Sequence, residues 1–224
     1  MFKVIKSCIK QGRRTLKFPK GKAPVLPARY RGRPIVAGEN NVAIDMGKIT
    51  FAPDAGIIYS NDFSMAVSKR EDLVLKEGEK VGVILKKEIY KMFGRSLKLR
   101  QVSAGGCNSC EADINVLGTP VFDLARFGIQ FVASPRHADG IVVTGPITKN
   151  MKYALLKTYE AVPDPKIVVA VGSCAISGGV FSGSPEVSEG LDTILPVDLF
   201  IPGCPPHPLT ILDGFLRLIG RIRA

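Results

Sequence analysis

The sequence lacks any uninterrupted apolar run of the roughly 20 residues that a membrane-spanning helix needs. We therefore expect that the chain does not cross a bilayer. Its Arg13-Arg14 pair resembles the start of a twin-arginine export signal, but residues 17–32 are charged and broken by prolines where such a signal is apolar, so export is not expected. With 46% hydrophobic residues in 224 positions, the chain is not disordered and has material for one good core and a smaller appendage.

Acidic residues are absent from residues 1–34, which contain eleven of the 31 Lys and Arg residues. The net charge of +11 therefore belongs to this arm. Phe2, Ile5 and Ile9 recur at helical spacing with Lys and Arg around them, which predicts a basic amphipathic helix over residues 2–16. Such a helix either lies on an anionic membrane surface or packs on a partner subunit. The chain shows no known nucleic-acid-binding module, so nucleic acid is not an expected partner.

Cysteine is scarce, with five residues in the chain and none between residues 9 and 106. The five lack the dense, regular pattern of a secreted disulfide scaffold, so a reduced, cytosolic compartment is expected. Cysteines in that setting are more often metal ligands or catalysts than disulfide partners. Cys8, on the basic helix, is most simply a small apolar residue.

The first part of the chain shows little that would build a core of its own. Residues 18–34 are rich in proline and basic residues and predict an extended linker. Short β-like runs follow at residues 40–53 and 55–67, then a charged region at residues 69–80 that predicts an exposed turn. An amphipathic connecting helix is expected over residues 81–93.

After Leu97, continuously apolar extended runs alternate with helical ones. This pattern predicts an α/β fold, a flavodoxin-like open, mostly parallel doubly wound sheet, with sites beyond the carboxyl ends of its strands. The expected strands cover residues 97–104, 129–134, 140–145, 166–173 and 198–203, and the expected helices 107–117, 120–127, 149–162 and 207–222. The predicted parts of the chain are thus 1–34, a basic arm and linker; 35–96, a β-rich appendage with its connecting helix; and 97–224, the main domain.

Four cysteines follow the ends of these expected strands: Cys107, Cys110, Cys174 and Cys204. A structural zinc site normally uses two C-x2-4-C pairs, and only one pair is present here. The Gly-Cys-Pro-Pro sequence at residues 203–206 favours an iron–sulfur cluster, since proline after a ligand cysteine recurs in such sites. The spacing therefore predicts one shared site with a cluster preferred over zinc, which stays the alternative.

Four sequence blocks carry a resemblance to a known family. They are GGCNSCEADI, FDLARFGIQFVASPRHADGIVVTGPIT, PDPKIVVAVGSCAISGGVF and PVDLFIPGCPPHPLTILDGF, spread in family order over residues 98–224. Together they resemble the small, cluster-bearing subunit shared by respiratory complex I and group 4 membrane-bound [NiFe]-hydrogenases of the energy-converting and formate hydrogenlyase type. The resemblance implies an electron-transfer subunit in which Cys107, Cys110, Cys174 and Cys204 hold one [4Fe–4S] cluster proximal to the catalytic subunit.

The spacing of the first two cysteines distinguishes the branches of this family. Complex I members resemble this chain but have two adjacent cysteines there, whereas this chain has Cys107-Asn-Ser-Cys110, the hydrogenase-like spacing. A sulfur-reducing branch shares that spacing. The expected function is therefore that of a hydrogenase subunit, with a quinone reductase subunit, a sulfur reductase subunit and a zinc-binding assembly protein as alternatives.

The resemblance also implies partners and a location. A NiFe-type large subunit and a ferredoxin-like iron–sulfur subunit are expected beside this chain, with membrane-arm subunits reached through the basic helix. The complex is expected on the cytoplasmic face of the cell membrane. Residues 35–96 resemble parts of the two-cluster ferredoxin subunit without its cysteines, which predicts a cluster-free remnant that serves as an anchor or docking surface.

Residues next to the first cysteine pair are expected to tune the cluster. The backbone amides of Gly105, Gly106 and Asn108 are candidate donors to its sulfurs. Glu111 directly follows a predicted ligand, where it either lies on a proton path or stabilises the first turn of a helix, and the second role is preferred.

Arg136 and His137 are the other candidates near the cluster. They follow an expected strand, which predicts charges at the same edge of the sheet, although Arg136 is equally suited to a capping or interface role. His207, near the start of the last helix, is expected to pack rather than to bind metal. No nucleophile–base pair, phosphate loop or carboxylate dyad occurs in the sequence, so the substrate chemistry is expected on another chain.

Overall fold

Five parallel strands form the central sheet: β5 (Leu97–Ser103), β6 (Ile129–Phe131), β7 (Gly140–Thr144), β8 (Ile167–Val171) and β9 (Leu199–Ile201). Their spatial order is β6-β5-β7-β8-β9. If the five strands are counted along the chain, this is the order 2-1-3-4-5 of an open flavodoxin-like sheet, so the predicted α/β class is confirmed. The computed structural model describes residues 2–12, 14–21, 24–35, 43–48, 57–75, 93 and 96–222.

The sheet is buried on both faces, as its continuously apolar strands require. Every residue of β7, β8 and β9 is buried. Side chains alternate between two clusters: Val169 and Val171 pack into one, and Val168 and Ala170 into the other. Helices on both faces cover these clusters.

Five helices lie wholly within the described residues: α1 (Phe2–Gln11), α2 (Ser109–Val116), α3 (Lys149–Ala161), α4 (Ser173–Ser177) and α5 (Pro208–Leu218). Helix α3 begins where the Thr148 hydroxyl accepts a hydrogen bond from the Met151 amide, and α5 begins with Pro208 after His207. Short 3-10 turns cover Glu71–Leu73, Leu124–Phe127, Pro135–His137, Gly179–Phe181 and Leu191–Thr193. None of the described helices is long and apolar enough to span a membrane.

Two expected helices are shorter in the structure. The arm helix ends at Gln11 instead of Leu16 because Gly12 takes a left-handed conformation (φ 64°), which terminates a helix. The helix expected over 120–127 is only a 3-10 turn, since Asp123 also has a positive φ of 49°. The connecting helix expected over 81–93 lies outside the described residues except for Phe93.

The described parts of residues 24–75 pack directly on the main domain. They form two small antiparallel pairs, β1 (Pro34–Ile35) with β3 (Ile58–Tyr59), and β2 (Ile44–Asp45) with β4 (Val74–Leu75). Val67 exchanges two backbone hydrogen bonds with Phe200 of β9, at 3.0 and 2.8 Å. This segment therefore borders the β9 edge of the main sheet.

The expectation of an exposed, charged turn at residues 69–80 is wrong for residues 73–75. Leu73 and Leu75 are buried at 0% and 3% exposure, in the same cluster as the main sheet. Leu73 and Leu75 alternate with their neighbours as in a half-buried strand, but the many charged residues around them favoured the prediction of an exposed turn.

Candidate functional site

All four predicted ligand cysteines line one cavity of about 140 Å³ at the carboxyl edge of the sheet. Cys107 and Cys110 follow β5, Cys174 follows β8, and Cys204 follows β9. Parallel strands end at the same edge, so three distant parts of the sequence meet there. The four thiols are therefore available to one ligand in this cavity.

The backbone after β5 turns sharply to present the first two thiols. Gly105 has a φ of 107° and Asn108 a φ of 71°, so Cys107 lies outside α2 while Cys110 lies in its first turn. The loop also passes so close to the loop after β7 that a Cβ atom on Gly145 would collide with the backbone of Gly106. The Gly-Gly turn predicted before Cys107 is thus present, with Gly105 as its left-handed member.

Two further glycines leave room for the thiols, and sequence reasoning did not single them out. A Cβ atom on Gly172 would lie 2.6 Å from Cys110 Sγ, and one on Gly179 would lie 2.7 Å from Cys174 Sγ. Both glycines have positive φ angles, of 89° and 58°. Their place beside Cys174 in the sequence VGSCAISGG was the available signal, but the contact with Cys110 arises only from the fold.

The thiols differ in their protonation. Hydrogen bonding by Ser109, whose Oγ lies 3.3 Å from Cys107 Sγ, lowers the pKa of Cys107. Burial raises the pKa of Cys110 and of Cys174, and the neighbouring acid and thiol groups raise both further. Burial thus favours the neutral thiol form of Cys110 and Cys174, and a bound metal centre would favour their thiolate form.

Glu111 is buried beside the cavity with its carboxylate held by the ends of two strands. The Thr144 hydroxyl donates a hydrogen bond of 2.7 Å to Glu111 Oε1, and Ser103 also hydrogen bonds to the carboxylate. Burial raises the pKa of Glu111, but these hydrogen bonds outweigh it, so the net pKa is lowered. Glu111 therefore joins the start of α2 to β5 and β7 as an ionised group.

The donor set has the chemistry that a metal–sulfur cluster requires. The four thiols line a common cavity, and Gly172 and Gly179 leave space beside two of the sulfurs. Thiolates are the usual ligands of [4Fe–4S] clusters.

The expectation that Arg136 and His137 lie at this edge of the sheet is wrong. Strand β6 is short, and its last residue, Phe131, pairs with Leu99 near the start of β5. Both residues therefore lie in the 3-10 turn that leads into the amino end of β7, where they are exposed. Val180 and Phe181 line the cavity in their place, a role that no sequence motif indicated.

His207 has the packing role that was expected. Its Nδ1 atom accepts a hydrogen bond of 3.1 Å from the Leu209 amide and caps α5, and its ring stands edge-on to Tyr30 at 5.2 Å. Burial lowers its pKa. A smaller cavity of about 80 Å³ separates His207 and the Cys204 loop from Arg31 and Tyr59.

A doubly wound sheet with four thiols at its carboxyl edge defines a class of metal-binding α/β subunit, and comparison with known proteins places the chain within that class. Residues 107–218 match the model of the NADH ubiquinone oxidoreductase 20 Kd subunit family. The chain belongs to this family, which confirms the resemblance found in the sequence.

Relatives of this chain are subunits of different respiratory complexes. A probable membrane-bound hydrogenase subunit, mbhJ, of Pyrococcus furiosus is 44% identical over 135 residues, which are 60% of this chain and 81% of the relative. A subunit of the NADH-quinone oxidoreductase of Heliobacterium modesticaldum is 40% identical over 168 residues, covering 71% of this chain and 94% of the relative. A chain in the structure of a membrane-bound sulfane sulfur reductase, an archaeal respiratory complex, aligns with a TM-score of 0.52 and 34% identity over 61% of this chain and 75% of its own length.

Proposed function

We propose that this chain is the electron-transfer subunit carrying the proximal [4Fe–4S] cluster of a membrane-associated group 4 [NiFe]-hydrogenase complex. Cys107, Cys110, Cys174 and Cys204 are its ligands. The observation that carries the proposal is the convergence of these four thiols on one cavity from three strand ends. The family is one whose members bind an iron–sulfur cluster, and the relatives belong to hydrogenase and respiratory complexes.

A bound cluster would supply transfer of one electron at a time. The protein's own part is to hold and shield it. Gly172 and Gly179 keep the space beside two of the sulfurs open, and Val180 and Phe181 contribute exposed apolar side chains to the lining of the cavity. The ionised Glu111 ties α2 to the sheet, which holds Cys110 in position.

The Asn108-Ser109 spacer supports the hydrogenase assignment over quinone reduction. The spacer places Cys107 before α2 and Cys110 within it, separated by the left-handed Asn108. Adjacent cysteines, as in the complex I branch, have no residue with which to make that turn. The relative from a quinone oxidoreductase keeps quinone reduction as an alternative.

A sulfur reductase subunit is the second candidate. The observation that favours it is the alignment with a chain of the sulfane sulfur reductase complex at 34% identity. Both candidates need the same cluster in this chain and differ in the large subunit that receives the electron. Purification of the complex with its large subunit, followed by assays of hydrogen evolution and of sulfur reduction, distinguishes them.

The proposed partners follow from this role. A NiFe-type large subunit faces the cavity, a ferredoxin-like subunit delivers or accepts electrons, and the complex lies on the cytoplasmic face of the membrane. The described helices of this chain include none that could span the bilayer, which agrees with a peripheral position.

Iron analysis and EPR of the reduced, anaerobically purified protein test the assignment of the cluster. We expect about four irons per chain and the signal of a reduced cubane cluster. Cys174→Ser should lose both, whereas Cys8→Ser, which changes the cysteine outside the cavity, should retain both. One zinc per chain without an EPR signal would instead support the zinc-binding assembly protein.

A further inference from the structure

Helix α1 differs from the other helices in that none of its ten residues is buried. Phe2, Ile5 and Ile9 lie on one side of it, three and four residues apart, with exposed fractions of 90%, 50% and 76%. Three large apolar side chains thus form a stripe that the described part of the chain leaves in solvent. An exposed stripe of this kind indicates a surface that meets something else.

The charge beside the stripe indicates what it meets. At 100° per residue, Lys6, Lys10 and Lys3 lie within roughly 60° of one another and begin roughly 40° from the apolar stripe. Residues 1–34 contain no acid that would offset them. An apolar stripe bordered by lysines matches the boundary between acyl chains and anionic headgroups of a bilayer.

We propose that α1 binds the surface of an anionic lipid bilayer, with Phe2, Ile5 and Ile9 in the acyl boundary and the three lysines at the headgroup phosphates. The proposal deepens the membrane association proposed above by assigning the contact to lipid rather than to a membrane-arm subunit. It does not depend on the identity of the metal centre.

Contacts after the helix show where the arm is held to the main domain. The Leu16 amide donates a 2.9 Å hydrogen bond to the Val121 carbonyl, and Arg126 donates to the carbonyls of Leu16 and Phe18 at 2.7 and 3.0 Å. Arg126 lies in the turn before β6, where the Gly128 carbonyl receives the first amide of β5. The tether is therefore at the amino edge of the sheet.

The thiol cavity lies at the opposite, carboxyl edge. Strand β5 runs between the two edges over seven residues, which corresponds to about 20 Å. A lipid-bound α1 would thus hold the domain from the edge remote from the cavity, leaving the cavity free for the catalytic partner. Membrane attachment and electron transfer would use separate surfaces of the same chain.

Sedimentation of the full-length, cluster-loaded chain with lipid vesicles tests this proposal. We expect binding to vesicles of mixed phosphatidylcholine and phosphatidylglycerol, and much weaker binding to phosphatidylcholine alone. Changing Lys3, Lys6 and Lys10 together to Gln should lower the partition coefficient about a hundredfold, the combined effect of three lysines at an anionic surface. Changing Ile5 and Ile9 to Ser should also weaken binding, with all three lysines retained.

The matched control replaces Lys149, Lys152 and Lys157 of α3 with Gln. These lysines are exposed as well. Because both variants replace three lysines with glutamine, they have the same net charge. It should bind vesicles like the unchanged chain. Equal loss in both variants would show attraction by net charge alone and overturn the proposal, as would failure of the unchanged chain to bind, the result expected if α1 packs on a protein subunit.

Iron content measured on the same samples separates this proposal from the proposed function. A chain with four irons that does not bind the anionic vesicles overturns the lipid proposal and leaves the cluster standing. A chain that binds the vesicles but lacks iron overturns the cluster assignment and leaves the lipid proposal standing.

Discussion

At the residue scale, the site depends on glycines, which have no side chain to crowd the neighbouring sulfur atoms. Gly172 follows β8, and the space that a Cβ atom would occupy there is taken by Cys110 Sγ at 2.6 Å. The residue that makes room for one proposed ligand, Cys110, thus lies two positions before another, Cys174. This arrangement makes the glycine a sensitive test of the ligand geometry.

Gly172→Ala should lower the bound iron because the new methyl group displaces the Cys110 thiol. The positive φ of 89° adds a backbone penalty of about 1–2 kcal/mol to the same variant. Gly183→Ala is the matched control, since Gly183 has a φ of 82° and nothing within 4 Å of a Cβ atom. Both variants should lose stability in chemical denaturation, and only Gly172→Ala should lose iron. Full iron content in Gly172→Ala would contradict the assignment of Cys110 as a ligand.

At the element scale, the small pair β2 and β4 is joined to the rest of the molecule through charged and polar contacts. Asp45 accepts two hydrogen bonds from Arg70, at 2.9 and 2.7 Å, and one from the Gly47 amide. Ser177 of α4 donates a 2.8 Å hydrogen bond to the Gly47 carbonyl. The turn after β2 is therefore connected to the helix that begins with the Cys174 segment.

Asp45→Asn should destabilise the protein by about 1 kcal/mol at neutral pH, because a half-buried, bidentate ion pair is lost. Burial raises the pKa of Asp45, but the hydrogen bonds and charge of Arg70 outweigh it and lower the pKa overall. A carboxyl group with a lowered folded-state pKa stabilises the fold above its unfolded value of about 3.9, and that contribution disappears as the pH falls through the folded value.

Denaturation of the two proteins between neutral and acid pH measures this difference. The gap between wild type and Asp45→Asn should shrink below about pH 4. Glu186→Gln is the control, because the Lys149–Glu186 pair is exposed, with 62% and 72% of the side chains accessible. It should have no measurable effect on stability. A gap that stays constant into acid would show that the ionisation of Asp45 is not the source of the difference in stability.

At the scale of the whole molecule, the proposed cluster would join distant parts of the chain. Its four ligands come from the segments after β5, β8 and β9, and the last of these strands also pairs with Val67 of the appended segment. A ligand that binds the folded chain alone stabilises it by mass action, so the cluster should contribute to stability as well as to electron transfer.

Removal of the cluster with a chelator under mild oxidation should lower the Tm by several degrees. The comparison is thermal unfolding before and after treatment, followed by circular dichroism. Cys174→Ser, which lacks the cluster from the start, should begin at the lower Tm and should not change on treatment. An unchanged Tm in the unsubstituted chain after loss of its iron would show that the ligand segments are held by the fold alone.

Sequence reasoning succeeded where a physical pattern is local. Buried strands such as residues 140–144 and 167–171 are apolar at nearly every position because helices cover both faces, so their number, positions and parallel arrangement were predictable. The position of the four cysteines at one edge of the sheet was predictable for a related reason. Each follows the end of a strand, and the carboxyl ends of parallel strands lie at the same edge. The described bounds differ from the predicted ones mainly at the ends of elements.

Only the tertiary structure decided which charges and glycines belong to the site. Arg136 and His137 follow a strand as the four cysteines do, but β6 ends level with the start of β5, and no local pattern encodes that register. The contact of Gly172 with Cys110 joins residues 62 positions apart, and the burial of Leu73 and Leu75 depends on a sheet formed much later in the chain. The cysteine pattern depends on residue type and spacing, so the sequence alone determined it. The room beside each sulfur, the burial of side chains and the register of strands arise only when distant segments pack together.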